Sequence, residues 1–297
     1  MSLQEFIQQL LNGLSLGSLY ALVAIGYTMV YGILRLINFA HGDIFMVGAY
    51  IAFYLVGVFY LPWWLSLPLT LLLTAGVGVL IDRVAYRPLR NEPRISLLIT
   101  AVGVSFLLEN LGLVTVGARQ KGFPVPGMMA SPVRILGAQV GGVSIWVPLI
   151  SLAFLLLLLW VIYRTKAGMA MRAVSRDIEA TRLMGADVDR IIAFTFAIGS
   201  ALAAAGGILW SFKYPQINPL MGIYPGWKAF TAAVVGGIGN PTGAMIGGVL
   251  IGLVEVLTVA FFPTLSGYRD AFVFSILILF LLLRPTGLLG EPLKEKV

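Results

Sequence analysis

The sequence RTKAGMAMRAVSRDIEATRLMGADVDR, residues 164–190, is the longest segment of this chain in which charged residues replace apolar ones. Its arginines and lysine alternate with aspartates and a glutamate, so both signs of charge are spread along it. A segment of this kind has to lie in water, whereas the long apolar stretches on either side of it suit a membrane. The segment is therefore predicted to be a folded cytoplasmic loop between membrane helices.

A short surface helix is predicted inside this loop, over about residues 176–184. Ser175 suits its N-cap, Asp177 and Glu179 suit its first turn, where the helix dipole favours anions, and Gly185 suits the position after its end, which needs positive φ. The alternative is a solvated loop whose arginines reflect only the positive-inside rule.

The composition assigns the class of protein. Hydrophobic residues make up 59% of the chain and charged residues only 11%, with a mean hydropathy of +0.94, which is far outside the soluble globular range. The chain contains no cysteine, which excludes disulfides and thiolate chemistry, and His41 is its one histidine, too few for a zinc site. The excess of 20 Lys and Arg over 13 Asp and Glu is typical of cytoplasmic loops and does not indicate nucleic acid.

The predicted fold is a single all-α polytopic domain over residues 1–297 with about eight transmembrane segments. The apolar runs expected to span are 6–34, 44–60, 65–81, 95–117, 143–163, 191–212, 242–262 and 271–283. The tail after Arg284, with Lys294 and Lys296, is expected in the cytoplasm.

Loop charge predicts the orientation. The segment 82–94 carries four arginines and lies two spans before the loop 164–190, so both are expected on the cytoplasmic side. The N-terminus is then outside, and the polar stretch RLINFAHGD, residues 35–43, lies near the cytoplasmic side. Asp43 is expected to cap the helix that follows it.

A glycine-rich stretch, GGIGNPTGA at 236–244, is predicted to break a helix inside the membrane. The apolar piece before it, 227–238, is about 18 Å long as a helix and too short to cross, and Asn240 with Pro241 suits the start of a new helix. Irregular backbone at membrane depth is tolerated where it lines a wet cavity; a packing seam of small residues is the alternative. The candidate translocation-path residues are Asn38, His41, Gly236, Gly237, Gly239, Asn240, Pro241 and Thr242.

Two acidic residues, Glu109 and Glu255, lie within apolar runs and are candidate functional groups. Each of them also has a structural explanation, through pairing with arginine or backbone or a place at a helix end. Enzyme motifs are absent from the sequence: it contains no G-x-x-x-x-G-K-[ST] phosphate loop, no H-E-x-x-H and no G-x-S-x-G. The chain is therefore not expected to be an enzyme.

Three segments resemble one transporter family. They are ALVAIGYTMVYGILRLINFAHGD (21–43), VAYRPLR (84–90) and KAFTAAVVGGIGNPTGAMIGGVLIGLVE (228–255), and they look like the LivH-type permease subunit of branched-chain amino acid ABC importers. In addition, Glu179-Ala180-Thr181, three residues, then Gly185 is similar to the E-A-A-x-x-x-G loop of ABC-importer permeases, with Thr in place of the second Ala.

The resemblance implies a function and a set of partners. Such permeases carry Leu, Ile or Val inward across the cytoplasmic (inner) membrane, paired with a homologous second permease and two cytoplasmic ATPase subunits, and an external binding protein supplies them. ATP is used by the partner subunits, so this chain is expected to bind no cofactor or metal. The residues implied to dock into the ATPase are Asp177, Glu179, Ala180, Thr181 and Gly185.

Two other functions remain open at this stage. Relatives in the same superfamily import urea, short amides or other amino acids, and the binding protein largely sets selectivity. A stand-alone channel or secondary transporter is suggested by Asn240-Pro241, but it would need a second Asn-Pro break in the first half, and the stretch INFAHGD, residues 37–43, has none.

Overall fold

The computed structural model describes residues 2–90, 92–135 and 138–290, so Lys294 and Lys296 lie outside it. Within that part of the chain, eight helices are long and apolar enough to cross a membrane. The predicted all-α class and the number of spans are therefore confirmed. The helices are α1 Leu3–Leu34, α2 His41–Phe53, α3 Trp63–Ile81, α4 Arg94–Val116, α5 Gly127–Ala130, α6 Val143–Arg164, α7 Lys166–Arg176, α8 Ile178–Leu183, α9 Val188–Lys213, α10 Ile223–Gly236, α11 Pro241–Phe261 and α12 Arg269–Leu283.

Short irregular helices and two small sheets complete the described chain. A π-helical turn extends α2 through Tyr54–Val58, a π turn and a 3-10 turn extend α3 through Asp82–Tyr86 and Arg87–Leu89, and a 3-10 turn at Pro263–Tyr268 precedes α12. The four strands form two antiparallel pairs, β1 Lys121–Gly122 with β4 Gln216–Ile217, and β2 Pro132–Ile135 with β3 Ala138–Gly141.

Helix α1 is the centre of the bundle. It has 32 residues, about 48 Å of helix, and nearly all of its most apolar stretch is buried by the other helices. Small residues allow α1 to approach α11 closely: a Cβ on Gly17 would lie 2.7 Å from Val249 Cα and 2.9 Å from Gly248 O on α11. The backbones of α1 and α11 therefore touch directly, as at other membrane interfaces of small residues.

We predict that Gly17→Leu lowers the free energy of unfolding by about 1–3 kcal/mol or more, because the added side chain meets backbone that cannot rotate away. Gly76→Leu is the matched control, since a Cβ on that exposed α3 glycine meets nothing within 4 Å. Denaturant titration of both variants in mixed micelles measures the difference. Equal stability of the two would contradict direct backbone contact between α1 and α11.

The interruption before α11 is a reversal of the chain, so the prediction of a single broken helix is wrong. Helices α10 and α11 pack antiparallel: Gly236 lies against Gly243, and further along Ala232 lies against Gly247. As predicted, Asn240 is the N-cap of α11, accepting from Gly243 N, and Pro241 is its first residue. These local features end one helix and start the next, but they do not fix the direction that the new helix takes.

The chain turns back into the bundle between α1 and α2. Arg35 leaves α1 in the left-handed conformation (φ 52°), and the chain then returns so that the His41 ring lies beside Gly26, well inside the bundle. We call residues 35–40 the re-entrant segment. The prediction that Asp43 caps α2 is wrong, because Ala40 is the N-cap and makes no side-chain hydrogen bond.

Candidate functional site

Helix α8 is the exposed polar helix of the loop 164–190. It spans Ile178–Leu183, shorter than the predicted 176–184, because Arg176 still belongs to α7. Asp177 is in extended conformation and accepts a hydrogen bond from Ala180 N, so it is the N-cap of α8. The expected cap, Ser175, instead donates to the Arg172 carbonyl.

The outer surface of α8 is apolar and charged at once. Ile178, Leu183 and Met184 are exposed by 37%, 88% and 88%, and Glu179 and Ala180 are also exposed. We call these five residues the α8 surface. An exposed apolar surface on an otherwise charged loop is typical of an interaction site.

The other two predicted docking residues hold the shape of this surface. Thr181 is buried, and its hydroxyl donates to the Asp177 carbonyl at 2.6 Å. Gly185 follows the helix with φ +83°, as predicted, and a Cβ there would meet nothing within 4 Å. Both residues therefore set the backbone of the turn that carries the exposed side chains.

A group of ion pairs joins this region to the end of α3. Arg90 contacts Asp82 at 2.5 Å and Asp189 at 2.5 Å, and Arg87 contacts Asp189 at 2.6 Å. Asp189 lies in the first turn of α9, directly after the loop that carries α8. Because Asp82 is almost fully buried, its pair with Arg90 is the better shielded of these contacts.

Tyr86 extends this connection to the re-entrant segment. Its hydroxyl donates to Asn38 Oδ1 at 2.7 Å in a buried site, and its ring packs on Phe196 of α9 with centroids 5.3 Å apart. The hydrogen bond from Tyr86 therefore holds Asn38 from the end of the bundle that carries the loop 164–190. The neighbouring path candidate His41 is buried against the Tyr27 ring, with centroids 4.6 Å apart.

A cavity of about 270 Å³ lies between the re-entrant segment and helices α1, α2, α4 and α10. Of the predicted site residues, Glu109 lines it, whereas Asn38 and His41 are buried and are not among its lining residues. Asp43, predicted only as a helix cap, also lines the cavity. The sequence feature that could have indicated this role is an acidic side chain at the start of an apolar helix. The lining residues are Tyr27, Phe39, Gly42, Asp43, Val102, Ser105, Phe106, Glu109, Gly222, Ile223, Gly226 and Trp227.

The second acidic candidate, Glu255, is paired with other side chains. Its carboxylate contacts Lys228 Nζ at 2.7 Å and accepts a hydrogen bond from Tyr20 at 2.8 Å. Asp270 contacts the same Lys228 Nζ at 2.7 Å, and both Lys228 and Glu255 have side chains only 5% exposed. The geometry gives Glu255 a structural role in joining α1, α10, α11 and α12.

The glycine-rich residues lie at the end of the bundle and not at mid-depth, so the predicted depth of the break is wrong, and their place on the translocation path stays a prediction. The turn is at the end of the bundle, because Gly239 lies near Gly32 in the last turn of α1 and Asn240 Nδ2 donates to Leu289 O beyond α12. The backbone of Gly236 accepts from Leu289 N. Gly237, Pro241 and Thr242 belong to the same turn, and Gly239 and Thr242 are exposed at its surface.

Single cysteines at Gly239 and Thr242, in this naturally cysteine-free chain, are expected to react readily with a small water-soluble thiol reagent because both positions are exposed. Reaction should come from the side of the membrane that carries α8 and should not depend on transport. Ala244→Cys is the control and should be inert, because Ala244 is fully buried. Labelling of Thr242→Cys from the opposite side alone would contradict this placement.

Long apolar helices around a partly open cavity, with a polar helix exposed at one end, are typical of a class of protein, the multi-pass membrane permease. A family model described as "Branched-chain amino acid transport system / permease component" matches residues 9–282, and the chain belongs to this family. It is therefore a multi-pass protein of the inner membrane and a permease component of a transport system.

Curated relatives agree with the family model. The chain is 42% identical to the high-affinity branched-chain amino acid transport system permease protein BraD of Pseudomonas aeruginosa, over 99% of this chain and 98% of BraD. It is also 42% identical to LivH of Escherichia coli (strain K12), over 98% of each chain. The permease protein LivM of Salmonella typhimurium is 27% identical, over 91% of this chain and 68% of LivM.

Proposed function

We propose that this chain is the membrane-spanning permease subunit of an ABC importer that carries leucine, isoleucine and valine inward. The observation that carries the proposal is the 42% identity to BraD and LivH, both named as permeases of high-affinity branched-chain amino acid transport systems, over nearly the whole of each chain. The partly open cavity and the exposed α8 surface support it, because an importer subunit needs a route for the substrate and a surface on which its ATPase docks.

The proposal divides the work among several subunits. Two cytoplasmic ATPase subunits hydrolyse ATP, and an external binding protein supplies the substrate. This chain holds no nucleotide, consistent with a sequence that contains no phosphate-loop motif. A homologous second permease completes the route, and the similarity of this chain to LivM, a permease protein of the same kind of system, supports such a pair.

The contacts within the chain suggest how ATP binding elsewhere moves the cavity wall. Motion of α8 reaches the start of α9, which Asp189 ties to Arg87 and Arg90. The same α3 extension carries Tyr86, whose hydrogen bond holds Asn38 in the re-entrant segment. Phe39, the next residue, lines the cavity. A shift of the cytoplasmic loop is thereby passed to one wall of the cavity through short, packed contacts.

Purification of the tagged chain from its own membrane tests the assembly. We expect two ATP-hydrolysing subunits and a second permease to remain bound, and vesicles that contain the complex to accumulate labelled leucine only when ATP is inside and the binding protein outside. A chain that purifies without an ATPase, or uptake driven by an ion gradient alone, would indicate a channel or secondary transporter. Uptake of urea or short amides in place of leucine would reassign the substrate.

A further inference from the structure

Asp43 differs from the other buried acidic residues of this chain. In the described ranges 2–90, 92–135 and 138–290, three carboxylates are buried, and two of them have a cation: Asp82 contacts Arg90 and Glu255 contacts Lys228. Asp43, only 3% exposed, forms no ion pair there with any Lys, Arg or His. An ionised carboxylate in this position is costly unless it takes up a proton or a positive group comes to it.

The carboxylate of Asp43 is held in position at the cavity wall. Ser105 Oγ of α4 donates to Asp43 Oδ2 at 2.5 Å. Glu109 lies one turn further along α4, on the same helical face as Ser105, and lines the same cavity. The twelve lining residues include no Lys, Arg or His. The cavity therefore offers two carboxylates to a cation and supplies no cation of its own.

The rest of the lining is apolar and aromatic. Phe39 and Trp227 lie with ring centroids 5.4 Å apart, and Phe106, Val102 and Ile223 complete the apolar part. The volume of about 270 Å³ is several times the ~30 Å³ that a water occupies in the liquid, so a molecule of amino-acid size has room. Aromatic faces also attract an ammonium group.

We propose that this cavity binds the transported amino acid inside the permease, with the substrate ammonium group on Asp43 and Glu109. The aliphatic side chain lies against Phe39, Phe106 and Trp227. The substrate carboxylate faces the first turn of α10, which begins at Ile223, because a helix N-terminus favours negative charge. This assignment rests on the proposed function and adds to it a specificity filter in the membrane, since urea and neutral amides have no ammonium group.

The test uses one cysteine, Val102→Cys, in the assembled and reconstituted transporter, because the chain has no other cysteine. We expect leucine to slow labelling of this cysteine by a thiol reagent several-fold. The analogue 4-methylpentanoate has the same side chain and carboxylate but no ammonium, and it should give little protection at the same concentration. Adding Asp43→Asn should raise the leucine concentration that gives half-maximal protection by about tenfold or more, because the variant loses a charge-assisted hydrogen bond to the ammonium group.

Two further variants separate binding from structure. Ser105→Ala keeps the carboxylate and removes the hydrogen bond that orients it, so a smaller loss of protection is expected. Leu282→Cys, on the outer face of α12 and 76% exposed, should be labelled equally with and without leucine. If Asp43→Asn does not assemble, the comparison of leucine with 4-methylpentanoate in the Asp43 protein decides by itself.

Three results would overturn the site: equal protection by the two compounds, unchanged protection in Asp43→Asn, or no protection by leucine in a complex that transports leucine. Failure of the proposed function is distinguishable from these results. A reconstituted complex that binds no ATPase and accumulates no leucine would show that failure before any cysteine is introduced.

Discussion

Replacing Lys228 by Met is expected to lower the free energy of unfolding by about 3–5 kcal/mol, the cost of removing one partner from a buried ion pair. The Lys228 ammonium lies 2.7 Å from both Glu255 and Asp270, and its side chain is only 5% exposed. Without it, Glu255 keeps a hydrogen bond from Tyr20 and a longer contact of 3.8 Å to Arg269. Neither replaces the lost charge inside an apolar bundle.

Unfolding in mixed micelles measures this effect against a matched substitution. Lys166→Met makes the same chemical change on the exposed start of α7 and should alter the free energy of unfolding by no more than about 0.5 kcal/mol. The double variant Lys228→Met, Glu255→Gln should recover part of the loss, because the uncompensated charge is removed. A loss below about 1 kcal/mol in the single variant would show that this cluster is hydrated.

Reversing the charge of Glu179, by Glu179→Arg, is expected to reduce ATP-driven uptake by at least about tenfold while the folded chain stays in the membrane. The reason is that Glu179 lies exposed on the α8 surface, where we propose that the ATPase docks, and loss of a central interface residue costs at least this much affinity. Uptake, membrane content and ATPase co-purification are measured on the same samples. Glu92→Arg makes the same change at another exposed residue, outside the loop 164–190, and should retain uptake.

Gly185 gives a second probe of the same surface. Its φ of +83° makes any Cβ strained by about 1 kcal/mol, yet that Cβ would meet nothing within 4 Å in this chain. Gly185→Val should therefore abolish uptake chiefly by displacing the ATPase. Gly185→Asn adds a side chain that tolerates positive φ, so a loss of uptake there too would locate the clash in the partner. Full uptake in Glu179→Arg and Gly185→Val together would exclude α8 as the docking helix.

Many of the candidate site residues could be predicted from the sequence, but they lie in separate regions of the structure. Glu109 lines the cavity, and Gly185 and Asn240 have the local conformations that their residue types predicted. Glu255, predicted as a candidate functional group, is paired with Lys228, whereas Asp43, predicted only as a helix cap, lines the cavity. Both are acidic residues in apolar helices, and their difference is that Lys228, 27 positions away, reaches Glu255, whereas no described Lys, Arg or His pairs with Asp43. An ion pair between two helices of a bundle cannot be predicted from the residues next to either partner in the sequence.

The sequence by itself determined the membrane class, the spans and some helix ends, such as those at Gly185 and Asn240, because hydropathy, caps and glycine conformations are properties of neighbouring residues. Only the tertiary structure decided where the chain goes after each helix. Asn240 and Pro241 start α11, but packing of Gly236 on Gly243 turns α11 back along α10. In the same way, the polar stretch after α1 becomes a cavity wall only because His41 fits beside Gly26. Such close backbone contacts depend on which small residues meet across the bundle, and that is set by the whole fold.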